Sequence, residues 1–76
     1  MITRDQVLQT IMDEAAPFLR AERKDVYIDK DSGDDFTPQL YVMLGIKGRP
    51  GYHGFLYDEH GDINYMGSFA HGGRVS

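Results

Sequence analysis

Hydrophobic positions along this chain recur at helical spacing near the N-terminus and alternate further on. From Thr3 to about residue 23, Val7, Leu8, Ile11, Met12, Ala15, Phe18 and Leu19 fall within an arc of about 140° at about 100° per residue, one apolar face of a single helix. Thr3 with Gln6 matches a capping box, in which a hydroxyl serves orphan amides and an amide side chain reaches back. Asp5 suits the positive end of the helix dipole, and Arg20, Arg23 and Lys24 gather where cations are favoured. Pro17 cannot donate to the carbonyl of Asp13, so a kink or a break into two helical pieces is expected there, on the solvent side.

Alternation takes over at Asp25–Asp29, a short first strand with Val26 and Ile28 on one face and Tyr27 on the other. The run KDSGDDFTP reads as a loop ending at Pro38. Three further strands follow between Gln39 and Phe69, separated by GRPG and by a turn at Glu59, His60 and Gly61. If GRPG is the first hairpin loop, Lys47 opposes Tyr52, and Ile46, Leu44 and Val42 oppose His53, Phe55 and Tyr57. With Gly61 in the left-handed position of a type I turn plus bulge, Tyr57 and Phe55 oppose Ile63 and Tyr65.

Because strand side chains alternate, both hairpins specify one core face: Leu40, Val42, Leu44, Ile46, Phe55, Tyr57, Ile63, Tyr65 and Phe69. The helix is expected to cover this face. Tyr41, Met43, Tyr52, Leu56 and Met66 fall on the other face with Tyr27, around a gap where Gly45 opposes Gly54. One helix covers one face of a sheet, so this Tyr- and Met-rich face is the candidate protein-binding surface, with Asp58, Asn64 and Ser68 as a polar rim. Competing expectations are a C-terminal segment folded back over it, phenols tolerated in water, or Met66 filling the gap opposite Gly54. The expected fold is α+β, an N-terminal helix on a three- to four-stranded antiparallel meander in order 1-2-3-4. It forms one domain over residues 1–70, with 71–76 (HGGRVS) as a flexible tail.

Composition narrows the function classes. A chain of 76 residues is near the lower limit for independent folding, and it has no cysteine, which removes disulfides, thiolate zinc sites and thiol nucleophiles. Twelve acids against eight Lys and Arg, net charge −4, speak against nucleic-acid binding, which needs a basic stripe. No apolar run reaches the about 18 residues of a membrane span, and MITRDQV does not read as a signal peptide. A soluble, cytoplasmic protein without membrane contact is expected.

Candidate chemistry is sparse. Asp29, Asp31 and Asp35 have the alternate spacing of a calcium loop, but Gly33 stands where a ligand belongs and Leu40 where the closing Glu would be. Asp58, His60 and Asp62 offer at most a weak metal site in a solvated turn, and the three histidines lack ligand spacing. No serine sits in a nucleophile elbow, and the glycines at 45, 48, 51 and 54 do not form a phosphate loop. These readings point to a small non-enzymatic protein-binding module without cofactor or metal, of the accessory or inhibitor type found in phages and mobile elements. The alternatives are a homodimer with a structural role built on the same face, or a weak metal- or small-ligand-binding module.

Overall fold

The computed structural model describes residues 3–32 and 39–69. Gly33 and Asp35 of the calcium-like spacing and the tail at 71–76 lie outside them. Helix α1 spans Arg4–Phe18, a 3-10 turn covers Arg23–Asp25, and four strands follow: β1 Val26–Asp31, β2 Leu40–Ile46, β3 Tyr52–Tyr57 and β4 Ile63–Phe69. The strands form one antiparallel sheet in the order β1-β2-β3-β4, and the helix packs on one face of this meander. No helix among the described residues is long and apolar enough to cross a membrane.

Local chemistry starts the helix where the sequence places it. Thr3 Oγ1 accepts from the Gln6 amide at 3.1 Å, and Gln6 Oε1 accepts from the Thr3 amide at 2.8 Å, the reciprocal pair of a capping box. The end differs from expectation. The chain does not resume as helix after Pro17; α1 ends at Phe18, and Arg20 turns left-handed at φ 56. Ala21 N–H then bonds the Ala16 carbonyl (2.9 Å) and Arg20 N–H the Pro17 carbonyl (3.1 Å), the paired bonds of a Schellman motif. Arg49, from the β2–β3 loop, donates to the Leu19 and Arg20 carbonyls at 3.0 and 2.7 Å, so the cation at the helix end comes from a distant segment. Arg23 points back instead, to Asp13 and Gln9.

The core is the helix-facing layer: Leu8, Ile11, Met12, Ala15 and Ala16 against Val26, Leu40, Val42, Leu44 and Phe55. Phe18 stands at its margin, 59% exposed, with its ring against those of Phe55 and Tyr65. Arg4 pairs with Asp31 and ties the start of α1 to the end of β1.

Two register details correct the sequence reading. The first hairpin is shifted by two residues: Gly45 pairs with Tyr52, Leu44 with His53 and Val42 with Phe55. Its loop is longer than GRPG because Arg49 N–H closes a turn on the Ile46 carbonyl and Lys47 N–H bonds Asp25. A shift of two preserves which face each residue occupies. The second hairpin forms as expected, with Gly61 at φ 85 and Asp58 N–H bonding the Asp62 carbonyl at 2.9 Å. Further along β4 a bulge intervenes. Tyr65 pairs with Phe55 but Gly67 with Gly54, leaving Met66 as an extra residue beside Gly67 at φ 109. One inserted residue reverses the alternation. Phe69 therefore pairs with Tyr52 and joins the face away from the helix, while Ser68 pairs with His53 and moves to the helix side.

Arg20 holds a conformation that costs a non-glycine residue about 1 kcal/mol. The Arg20→Gly variant is expected to gain about 0.5–1 kcal/mol in urea unfolding, since only its carbonyl is used by Arg49.

Candidate functional site

The face opposite the helix is built in cross-strand rows. Tyr27, Gly45, Tyr52 and Phe69 form one row; Lys30, Met43, Gly54 and Gly67 form the next; Tyr41, Leu56 and Asn64 form a third. Lys30 reaches this face because β1 carries its own bulge at Asp29, between Ile28 and Lys30.

The two central glycines are not opposite each other, and no gap separates them. Gly45 lies beside Tyr27, and a methyl group added there would overlap the Tyr27 ring. Gly54 lies under Tyr41, and the same methyl group would collide with the Tyr41 phenol and press on the Phe69 ring. Each glycine thus lets a phenol lie flat on the backbone of the sheet. Met66, expected to fill the space at Gly54, is instead the bulge residue and is 49% exposed.

Of the five residues assigned to this surface by sequence, Tyr41, Met43, Tyr52 and Leu56 share the face. Met43 is buried within it, at 5% exposure, while Tyr41, Tyr52 and Leu56 are half-buried and Tyr27 remains 43% exposed. Phe69 is the member that alternation misses; the glycine after Met66, in a strand interior, is the sequence signal for the bulge that turns it.

Polar groups frame the layer. Partial desolvation, then the neighbouring Tyr52 phenol and the Asp29 carboxylate, push the Tyr27 pKa up. At the β3–β4 end, Asp58 accepts from the Asp62 amide (2.9 Å), the His60 amide (2.9 Å) and Asn64 Nδ2 (3.1 Å). The backbone bond from Asp62 leads the causes that hold its carboxyl below the usual range. Asp58 and Asn64 therefore form a joined rim, without Ser68.

His53 sits on the helix side, its Nδ1 3.0 Å from Tyr65 Oη. Desolvation, then the charge of Arg49, lowers its pKa. His60 is a turn residue beside Glu59 at 3.8 Å, and no three acidic or histidine side chains among the described residues converge to hold a metal.

Compared with protein-family models, curated proteins and solved structures, the chain matches none at a significant level.

Two outcomes follow from this geometry. Gly54→Ala is expected to destabilise the fold by about 1–3 kcal/mol through overpacking. Combining it with Tyr41→Ala should cost less than the sum of the single changes, which a double-mutant cycle of unfolding free energies measures. His53, with its folded-state pKa lowered, contributes stability that is complete above the unfolded value of about 6.5 and is lost as pH falls below it. Urea titrations between about pH 7.5 and about pH 5 should show stability falling with acid, with a shallower slope in His53→Gln.

Proposed function

We propose that this chain is a non-enzymatic module that binds another protein through the sheet face opposite the helix. The observation that carries the reading is the aromatic layer of Tyr27, Tyr41, Tyr52 and Phe69, together with Leu56, on the face that α1 leaves uncovered. Phenols packed flat on glycine make a stiff, amphipathic surface that loses little side-chain entropy when a partner settles on it. Tyrosine is enriched in interface hot spots because its ring is desolvated while its hydroxyl finds a partner.

Charge sets the chemistry of the partner. Asp58, Glu59 and Asp62 lie at the turn bordering Leu56 and Asn64, and Asp58 stays ionised well into acid. The chain itself carries −4. The complementary surface is apolar at its centre and basic at the edge that meets this turn, and opposite charge there speeds encounter. The accessory or inhibitor role belongs to the same reading, since such proteins act by occupying a partner's surface.

Leu56→Asp and Tyr27→Lys are expected to lower affinity for a captured partner at least about 100-fold, as hot-spot changes do. Lys24→Ala, an exposed change beside the helix end, should leave affinity unchanged. Circular dichroism melts must show both face variants folded; equal binding by folded Leu56→Asp and wild type would refute the reading.

A further inference from the structure

The two edges of the sheet are protected unequally. β1 (VYIDKD) carries three charged residues at its end, a bulge at Asp29, and the ion pair of Asp31 with Arg4. These are the devices by which edge strands repel other chains. β4 (INYMGSF) has no charged residue and no proline, and among the described residues it pairs only with β3. Its bulge falls at Met66, leaving Ile63–Tyr65 in regular register.

The phase of the free edge follows from one bond. Asp58 N–H bonds the Asp62 carbonyl, so Asp62 and, two residues on, Asn64 turn their backbone groups toward β3. Ile63 and Tyr65 turn theirs outward. Their side chains lie on the helix side, where α1 stops short of β4 and leaves a groove of about 130 Å³ lined by Glu14, Ala15, Phe18, Phe55, Ile63 and Tyr65. Phe18 and Tyr65 are 59% and 42% exposed there.

We infer that β4 pairs with β4 of a second copy, antiparallel about a two-fold axis at Asn64. This surface is the free backbone edge of β4 over Ile63–Tyr65, which adjoins the aromatic face only at Asn64, and the inference does not depend on the reading above. An antiparallel edge is complementary to itself under two-fold rotation, so a second copy supplies a matching strand. The arrangement sets Ile63 opposite Tyr65 of the partner and Tyr65 opposite the partner's Ile63, giving four backbone hydrogen bonds. It sets Asp62 opposite Met66 of the partner, so no two directly facing residues carry like charge, although each copy carries −4. The same pairing brings the exposed Phe18 and Tyr65 margins of both copies together. A contact of one strand and its flanks is smaller than the about 800 Å² per partner of a standard interface, so the dimer is reversible.

Sedimentation equilibrium across a concentration series decides it. The mass is expected to rise from one 8.6 kDa chain toward two as concentration approaches about 1 mM. Tyr65→Lys, which puts a charge on the edge, should weaken association at least tenfold while the melt persists. Asn64→Cys, in a chain without other cysteines, should cross-link rapidly on oxidation, because facing residues of a non-hydrogen-bonded pair lie about 4.5 Å apart, within disulfide reach. Lys24→Cys, remote from β4, should not. A one-chain mass throughout the series overturns the proposal. So does a dimer that persists in folded Tyr65→Lys, or one abolished by Leu56→Asp alone, which would place it on the aromatic face. If Tyr65→Lys fails to fold, the cross-link decides: cysteines at 64 reacting no faster than those at 24 refute the pairing.

Discussion

The central strand β2 must be buried on both faces while one helix covers only one of them. Along Leu40–Ile46 every residue but Tyr41 is buried. On one side α1 supplies the cover through Leu8, Ile11, Met12, Ala15 and Ala16. On the other, Tyr27 and Tyr41 lie flat over Gly45 and Gly54, and Met43 fills between the rows. The glycines make this second layer thin enough for single phenol rings, with Met43 between them, to cover the strand. A β-carbon at either position would lift a phenol off the sheet and reopen the backbone beneath it to water.

This double role shapes the candidate site. The aromatic residues cover β2 from its open side, and their outward surface lies on the face that the helix leaves uncovered. Packing against the backbone at Gly45 and Gly54 restricts the rotamers of the Tyr27 and Tyr41 rings without a further supporting element. The hydroxyls of Tyr27 and Tyr52 keep the layer compatible with water when it is unoccupied. Under the proposed reading, stability and recognition would draw on the same rings, and Tyr27 is the most exposed of the three tyrosines on this face.

Helix closure and edge protection come from long-range contacts. Arg49, some thirty positions downstream, meets the last carbonyls of the α1 region, and its charge adds to the desolvation that lowers the pKa of His53. Arg4 and Asp31 join the helix start to β1, which leaves the charged strand anchored and the uncharged β4 at the opposite edge.

Short-range chemistry made much of this legible from the residues alone. The capping box at Thr3 and Gln6, the Gly61 turn and the alternation of β2 and β3 depend on neighbours a few positions apart, so composition and spacing suffice. Face assignment survived a two-residue error in the first hairpin because the side-chain period is two. What tertiary structure decided are the features set by groups distant in the chain. The Met66 bulge turned Phe69 from the expected core to the open face and Ser68 the other way. The rings of Tyr27 and Tyr41 meet glycines on neighbouring strands and occupy the space expected as a gap. Pro17, where a kink or a break into two helical pieces is expected, lies in the last turn of one helix, whose end the left-handed Arg20 and the incoming Arg49 satisfy. Alternation and capping follow from local geometry; which ring covers which glycine follows only from how the strands twist and meet in space.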